Sequence, residues 1–296
     1  MILLKNHLLN VGIKRKGAEL CSIKSTLNNK EFVWQADPDI WGSHAPVLFP
    51  IIGCMKNNTY FYNGLKYNMP KHGFVRHNNN VEVVEQTSDM VKFRLESSEE
   101  LSKIYPFKFQ FNLKYQLKEN FLKVNHEVLN LDSKPMYFSL GGHPAFNCSF
   151  EKDENYNDYF LEFEALETSK SYLLNISNGL LTDKTISVFS DENRINLSDT
   201  LFDNDALIFK DLKSRKVYLK HKDKGNLLSV TFKDFEYLGI WAKPKAPYVC
   251  IEPWLGIADH ENTNQKIEDK EGIILLENNK SFNASYTIEI AKSHLV

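Results

Sequence analysis

The sequence predicts an all-β protein, a large antiparallel sandwich or barrel. Apolar and polar residues alternate with a period of two in many segments, which is the spacing of half-buried strands. Turn residues separate these segments in pairs, and no helical pattern of about 10–15 residues alternates with them. The 296 residues are 42% hydrophobic and 12% aromatic, enough for a large core. Without a linker or a repeat of fixed period, we predict one domain over residues 1–296.

The alternation is clearest between Phe109 and Leu117, where every second residue is apolar and the others are polar. A turn at 118–120 follows, and the alternation then resumes. The same argument predicts three hairpins, which pair residues 109–117 with 122–128, 81–83 with 91–95, and 217–219 with 228–232. A further strand is predicted over 282–290, an apolar strand over 248–254, and a surface loop over the polar stretch Glu151–Asp158.

Composition and charge exclude several classes of protein. The 36 Lys and Arg against 38 Asp and Glu give a net charge of -2, which argues against a dedicated nucleic-acid binder. The N-terminus lacks the apolar run of a secretory signal, and no apolar stretch approaches the ~18 residues of a membrane span. We therefore expect a cytoplasmic protein with neither nucleic acid nor a membrane as partner. The four cysteines lie far apart and are expected to be free, mostly buried thiols: Cys21, Cys54, Cys148 and Cys250.

Common cofactor and metal motifs are missing from the sequence. It contains no phosphate-binding P-loop, no dinucleotide-binding glycine motif, no nucleophile elbow and no H-E-x-x-H. His72 and His77 have a spacing that suits a metal site on a helix, but glycine and valine between them disfavour a helix. We expect neither a metal nor a cofactor.

Three short segments each place one ionisable residue among glycines, prolines and aromatic residues. His72 lies in M-P-K-H-G-F-V-R, His143 in S-L-G-G-H-P-A-F, and Glu252 in A-P-Y-V-C-I-E-P-W. Taken singly, each has a structural explanation, because loop histidines are more often structural and a glutamate before proline can end a strand. Together they can supply an acid, a base and a hydrogen-bonding partner at neutral pH.

These segments, with L-F-P-I-I-G at 48–53 and C-I-E-P-W-x-G-x-x-D at 250–259, resemble the aldose 1-epimerase (mutarotase) superfamily and its LacX-like branch. Order and rough spacing agree from Trp34 to the last strand. The resemblance implies a galactose mutarotase-like β-supersandwich. It also implies a cofactor-independent isomerase that interconverts the α and β anomers of a hexose.

The resemblance also implies roles for particular residues. Glu252 matches the base that takes the proton from the anomeric hydroxyl, and His143 matches the acid that protonates the ring oxygen. His72 matches a second histidine that hydrogen-bonds the sugar, and Asp205 matches a sugar-binding aspartate. Trp241 and Trp254 are candidates to stack on the pyranose, as are Phe74 and Tyr248, for which a core position is at least as plausible.

One departure concerns the family's sugar-binding arginine. Well-studied mutarotases carry it in the first third of the chain, whereas here residues 44–48 read H-A-P-V-L. Arg76 is the expected replacement. If residues 72–76 are extended, the even offset would place Arg76 on the same face as His72.

The reaction can be argued from the residue types alone. Opening a cyclic hemiacetal removes the proton of the C1 hydroxyl and protonates the ring oxygen. A carboxylate of ordinary pKa near 4.3 accepts a proton at pH 7, and an imidazole of pKa near 6.5 donates one. The open aldehyde then rotates and recloses on its other face, with no cofactor.

Two other functions stay open. A non-catalytic carbohydrate-binding β-sandwich would need no acid–base pair, so His143 with Glu252 favours an enzyme. A hexose-6-phosphate 1-epimerase would need cations for the phosphate, and this chain has five arginines, with Lys71, Lys243 and Lys245 near the motifs. The identity of the sugar, its phosphorylation and the choice between monomer and homodimer also stay open.

Overall fold

The computed structural model describes residues 1–150 and 154–296. The first three residues of the polar stretch predicted as a surface loop, 151–153, lie outside the described residues. The end of that stretch forms a 3₁₀ turn at Tyr156–Asp158. None of the helices in the described ranges is long and apolar enough to cross a membrane.

The described residues form a chain of strands with very little helix. The first twelve strands are β1 (Ile2–Lys5), β2 (Leu9–Ile13), β3 (Leu20–Ser25), β4 (Val47–Leu48), β5 (Thr59–Tyr62), β6 (Leu65–Asn68), β7 (Glu82–Gln86), β8 (Met90–Glu96), β9 (Phe109–Lys118), β10 (Phe121–Asn130), β11 (Met136–Phe138) and β12 (Leu140–Gly142). The next twelve are β13 (Ala145–Asn147), β14 (Tyr159–Phe163), β15 (Ser171–Asn175), β16 (Leu180–Ile186), β17 (Arg194–Asn196), β18 (Leu207–Phe209), β19 (Lys216–His221), β20 (Gly225–Thr231), β21 (Tyr237–Trp241), β22 (Tyr248–Leu255), β23 (Ile274–Leu276) and β24 (Ser281–Ile290).

Within residues 1–150 and 154–296, helical structure is confined to one short α-helix, α1 (Glu99–Ser102), and single 3₁₀ turns. Ser98 caps α1 by accepting a hydrogen bond from the backbone N–H of Leu101. Besides Tyr156–Asp158, the 3₁₀ turns are Lys16–Ala18, Lys56–Asn58, Val75–His77, Ile267–Asp269 and Lys292–His294.

Two large antiparallel sheets dominate the fold. One has nine strands in the order β17-β14-β19-β20-β24-β10-β9-β8-β7. The other has eight, in the order β16-β15-β18-β21-β22-β12-β4 with β13 also paired to β22. Smaller sheets are β1-β2-β3, β5-β6 and β11-β23. The all-β prediction is therefore confirmed.

The three predicted hairpins are present as β7–β8, β9–β10 and β19–β20. In the longest, Phe121 pairs with Lys118 and the turn residue Glu119 has a φ of 50°. Strand β10 also pairs along its length with β24, the predicted C-terminal strand. The period-two pattern thus located the central strands of the nine-stranded sheet correctly.

A continuous apolar core joins the two large sheets. Phe163 of β14 and Phe209 of β18 come from different sheets, and their ring centroids lie 6.2 Å apart. Phe49, directly after β4, stacks on Phe111 of β9 at 4.6 Å. The sheets therefore pack as the two layers of a sandwich. The four cysteines are free thiols, three of them buried and Cys54 half-buried, as the sequence predicted.

Candidate active site

Glu252 lies in the middle of β22, a strand of the eight-stranded sheet. Every residue of β22 is buried, and Glu252 is 1% exposed. The strand is covered on both edges, by β21 and by β12 and β13, so the carboxyl group cannot reach bulk water along the sheet. A carboxyl group in such a place requires a partner or a function.

His143 lies where the chain passes from β12 to β13, next to the central part of β22. Gly142 before it packs against the core, and a Cβ at that position would lie 2.6 Å from the hydroxyl oxygen of Tyr286. The missing side chain lets the end of β12 approach β24 closely and holds His143 beside Glu252. His143 Nε2 lies 3.2 Å from Glu252 Oε2, and the histidine is 7% exposed.

The contact between His143 and Glu252 lacks the alignment of a hydrogen bond. Glu252 Oε2 and His143 Nδ1 are both buried, and neither has a hydrogen-bond partner among the described residues. Unsatisfied buried polar atoms are rare in folded proteins, and they point to a site that receives a ligand.

His72 is held by its own backbone and by Gly53. The φ of His72 is +64°, and the φ of Gly73, the next residue, is +74°. A Cβ on residue 73 would lie only 2.1 Å from the carbonyl oxygen of Phe49, so this tight turn requires glycine. The backbone N–H of Gly53 donates to His72 Nδ1 at 3.1 Å. A neutral His72 must therefore carry its proton on Nε2, which makes Nε2 a donor.

Electrostatics keep His72 neutral. Burial lowers its pKa well below 6.5, and the neighbouring His143, Lys71 and Arg76 lower it further. The rings of His72 and His143 lie edge to face with centroids 5.7 Å apart. The three residues that the sequence singled out are thus brought together by three different segments.

The three residues line a cavity of about 200 Å³. A single water needs roughly 10–15 Å³ of such space, so the cavity has room for a sugar-sized ligand. The other lining residues include four of the predicted sugar contacts and several apolar groups: Trp41, Gly53, Lys71, Arg76, Leu174, Gly179, Asp205, Ala206, Ile208, Trp241, Trp254 and Ala258.

Arg76 reaches this cavity by a different route from the one that the sequence suggested. The segment after His72 is not extended, because Gly73 has a positive φ and Val75–His77 forms a 3₁₀ turn. The expectation of a shared strand face is wrong, yet His72 and Arg76 both line the cavity. Burial lowers the pKa of Arg76, the carboxylates of Glu19 and Glu252 oppose this, and its buried Nε has no partner among the described residues.

Asp205 lies in a left-handed turn just before β18, with a φ of +70°. Its Oδ1 accepts a hydrogen bond from the backbone N–H of Ala206 at 2.7 Å, which fixes the carboxylate at the cavity wall. The carboxylate also faces Glu252 closely enough to raise the pKa of Glu252. Asp205 is therefore placed to accept hydrogen bonds from a ligand's hydroxyl groups.

The aromatic candidates divide into two groups. Trp241 and Trp254 line the cavity. Tyr248 is fully buried, and Phe74 packs among Tyr105 and Phe109, so these two belong to the core.

The pKa values of the central pair differ from the ordinary ones assumed for the residue types. Burial raises the pKa of Glu252 well above 4.5, Lys71 opposes this, and Asp205 adds to it. Burial, helped by the charge of Arg76, lowers the pKa of His143 to about 3. These directions depart from the free carboxylate and the imidazole of pKa near 6.5 that the residue types suggest. Both shifts favour an uncharged pair, which shares one proton as a unit.

A third donor atom lies beside this pair. Cys250 precedes Glu252 by two residues on β22, and its Sγ, one His143 nitrogen and one Glu252 oxygen lie within 4.8 Å of one another. Such a set could hold a metal ion. Burial, however, raises the pKa of Cys250 well above 9, and a metal requires the thiolate.

The comparisons with known proteins agree with this fold. The family model described as aldose 1-epimerase matches residues 1–288, and the chain belongs to that family. The family supports an enzyme of the isomerase type that acts on a sugar.

Particular relatives cover nearly the whole chain. The plasmid and chromosomal forms of protein LacX from Lactococcus lactis subsp. lactis are each 34% identical over 278 residues, 90% of this chain and 91% of theirs. A galactose mutarotase related enzyme from Lactobacillus acidophilus superposes with a TM-score of 0.92 at 37% identity, over 99% of this chain and 97% of that one. A galactose mutarotase-like protein from Lactobacillus casei gives 0.91 at 29% identity, over 98% of this chain and 100% of that one. These structures place the chain in the galactose mutarotase-like fold.

Sequence reasoning missed several residues of the cavity wall, namely Trp41, Leu174, Gly179 and Ala258, and Trp41 is the one that contacts His143. Trp41 is half-buried and lies in the irregular segment between Trp34 and β4, where no periodicity shows which residues face inward. The one available signal was a tryptophan within the otherwise polar run D-P-D-I-W-G-S-H. Lys71 was noticed only as a possible phosphate ligand, although its charge acts on all three central residues.

Proposed function

We propose that this protein is an aldose 1-epimerase that interconverts the α and β anomers of a hexose through ring opening and reclosure. The observation that carries the proposal is the buried contact of 3.2 Å between His143 and Glu252 at the wall of a sugar-sized cavity. We further propose that residues 1–296 act as one domain, which the continuous core across both large sheets supports.

The proposed mechanism moves two protons and no electrons. The pair holds one proton, and in its reactive form that proton lies on His143 and Glu252 is a carboxylate. Glu252 then takes the proton of the C1 hydroxyl while His143 donates to the ring oxygen, so the C1–O5 bond breaks and a C1 aldehyde forms. The pair then consists of a protonated carboxyl and a neutral imidazole. Burial favours this same uncharged form, which supports a stabilised open-chain intermediate.

Reclosure returns both protons. The aldehyde rotates about the C1–C2 bond, and O5 attacks the other face of C1. The O5 proton returns to His143, and protonated Glu252 protonates the new C1 oxygen. Because each proton goes back to its donor, the reaction balances without a cofactor.

The remaining cavity residues orient the sugar in this proposal. His72 donates from Nε2 to a sugar oxygen, because Gly53 occupies its Nδ1. Asp205 accepts from hydroxyl groups, Arg76 donates to one, and Trp241 and Trp254 pack on the apolar face of the ring.

A hexose-6-phosphate 1-epimerase is the second candidate. The observation that favours it is that Lys71 and Arg76, two cationic side chains, line the same cavity. The carboxyl group of Asp205 lines it as well, which disfavours a dianionic phosphate, so a free sugar remains the first candidate substrate. A carbohydrate-binding function without catalysis is disfavoured, because binding alone has no need of the buried acid–base pair.

A sugar panel tests the proposal. Anomer exchange is followed by saturation-transfer NMR and by polarimetry on several aldohexoses and on their 6-phosphates. We expect accelerated exchange of at least one unphosphorylated hexose. Acceleration of 6-phosphates alone would favour the second candidate, and binding without acceleration would favour a carbohydrate-binding protein.

A further inference from the structure

Trp41 covers one face of the His143 imidazole. The two rings are stacked, with centroids 5.2 Å apart and an interplanar angle of 26°. The indole also stacks on Tyr248 at 5.5 Å and meets the edge of Trp241 at 5.5 Å. Trp41 therefore lies between His143 and the aromatic core at the rim of the cavity.

Packing, rather than hydrogen bonding, holds the His143 ring. Its Nδ1 has no hydrogen-bond partner among the described residues, and its Nε2 faces Glu252 without hydrogen-bond alignment. The ring is instead enclosed by the face of Trp41 and by the edges of His72 and Trp241. In a histidine that transfers protons, a hydrogen bond to one nitrogen usually orients the ring. Here the aromatic neighbours must orient it instead.

The loop that carries Trp41 is fixed by a small set of polar contacts. The indole N–H of Trp34 donates to the carbonyl oxygen of Trp41 at 2.9 Å, and the backbone N–H of Trp41 donates to Asp37 O at 2.8 Å. From the far side, Lys243 Nζ donates to Ile40 O at 2.9 Å. Lys243 belongs to the exposed turn between β21 and β22, the strand that carries Glu252. One lysine thus ties the Trp41 loop to the turn before the catalytic strand.

We propose that Trp41 is a positioning residue, whose indole holds the His143 imidazole in the orientation that faces Glu252, and that Lys243 latches the loop carrying it. This inference rests on the proposed function, since it assigns Trp41 a task in the work of His143. Trp41 also excludes water from the imidazole, which agrees with the lowered pKa of His143.

Several titratable or charged groups act on His143 besides Trp41. From β22 come Glu252 and Cys250, and from the segment before the 3₁₀ turn come His72 and Lys71, with Arg76 in the turn itself. None of these side chains is itself replaced in a Trp41 variant. A shift of the His143 titration in such a variant therefore reports the loss of the indole together with the water that its loss admits.

Trp41→Ala and Trp41→Phe test the inference, with kcat, KM and the pH profile of kcat/KM measured for the sugar that the wild type turns over. In Trp41→Ala we expect kcat to fall by about tenfold or more, with a smaller change in KM. Water then solvates the imidazolium, so the pKa of His143 rises and the acid limb of the profile moves to higher pH. Trp41→Phe keeps a stacked ring and should restore most of kcat and the wild-type limb.

The latch has its own matched pair of variants. Lys243→Met should lower kcat by a few-fold, a smaller decrease than that expected for Trp41→Ala. Lys245→Met, two residues along the same exposed turn, should behave like the wild type. A Trp41→Ala enzyme with the wild-type kcat and pH profile would overturn the inference, even if it melts at a lower temperature. A change confined to KM would overturn it too, by making Trp41 a sugar contact. The wild type and His143→Gln separate this failure from that of the proposed function. A wild type that accelerates no anomer exchange would refute the proposed function, whereas an active His143→Gln enzyme would refute only the assignment of His143 as the acid.

Discussion

Lys270 Nζ lies 2.8 Å from Asp259 Oδ1 in a buried ion pair, and Asp259 directly follows Ala258 of the cavity wall. The other oxygen of Asp259 accepts the backbone N–H of Lys56 at 2.9 Å, and its own backbone N–H donates to Cys54 O. The pair therefore joins the loop after β22 to the segment that contains Gly53, which in turn holds His72.

Breaking this pair should destabilise the fold strongly. Lys270→Met leaves the Asp259 carboxylate buried without its cation, and we expect the free energy of unfolding to fall by about 3–5 kcal/mol. Urea unfolding monitored by tryptophan fluorescence measures the change. Lys266→Met, an exposed lysine nearby, is the control and should stay within about 0.5 kcal/mol of the wild type. A loss below about 1 kcal/mol in Lys270→Met would contradict the role assigned to the pair.

A buried histidine outside the site predicts how stability depends on pH. His126 is 1% exposed, among Phe111, Phe235 and Tyr286, and burial lowers its pKa to about 4. Between pH 6.5 and 4 the unfolded chain binds a proton at this residue and the folded chain does not. Stability should therefore fall as the pH drops through this range, with His126 accounting for about 3 kcal/mol.

His126→Phe provides the comparison. Its absolute stability will differ because the ring differs, so the slope of unfolding free energy against pH is the quantity to compare. We expect a shallower slope than in the wild type between pH 6.5 and 4. Equal slopes in the two proteins would show that His126 takes up its proton in the folded state as readily as in the unfolded chain.

Arg76→Lys tests how the cavity recognises its sugar. Lysine keeps the charge but loses the planar fork of donors, and we expect the affinity for a free hexose to fall roughly tenfold, with little dependence on salt. Isothermal titration at several ionic strengths measures both. Arg15→Lys, at an exposed position, is the control.

Two other outcomes for Arg76 have distinct meanings. If only a phosphosugar binds, and its affinity falls steeply with ionic strength, the arginine recognises a phosphate. If stability falls while every sugar binds as before, Arg76 only holds its loop, and the proposed sugar contact is wrong.

His143→Gln tests the acid. Glutamine retains a polar side chain of similar reach but cannot titrate, so anomer exchange should slow by at least ~10²-fold while the fold persists. Rate and melting temperature are measured on the same samples. A large drop in melting temperature with little loss of rate would instead identify His143 as a structural residue.

Much of the fold could be predicted from the sequence because the central strands are half-buried. Residues 109–117 alternate strictly, and such a pattern has one physical solution, a sheet with one face in the core. Short strands such as β4 and β12 carry no such pattern, since two or three residues cannot alternate visibly and tertiary packing defines them.

The main residues of the candidate site could be predicted from the sequence, but the local structure around them and their pKa values could not. Glu252, His143 and His72 lie around one cavity, as the motifs suggested. Arg76 lies in a 3₁₀ turn, and the glycine-containing motif around His72 did not predict that turn. Trp41 and the pKa shifts of the central pair could not be predicted, because both arise from contacts between segments distant in sequence.

Glu252→Gln is the variant that tests the central claim most directly. The amide keeps the shape of the carboxyl group and cannot accept the proton of the C1 hydroxyl. Saturation-transfer NMR between the two anomers gives the exchange rate, with Glu236→Gln, an exposed glutamate before β21, as the control. We expect Glu252→Gln to lose at least ~10²-fold in rate with sugar affinity nearly unchanged, and Glu236→Gln to match the wild type. Wild-type exchange in Glu252→Gln would contradict the assignment of Glu252 as the base.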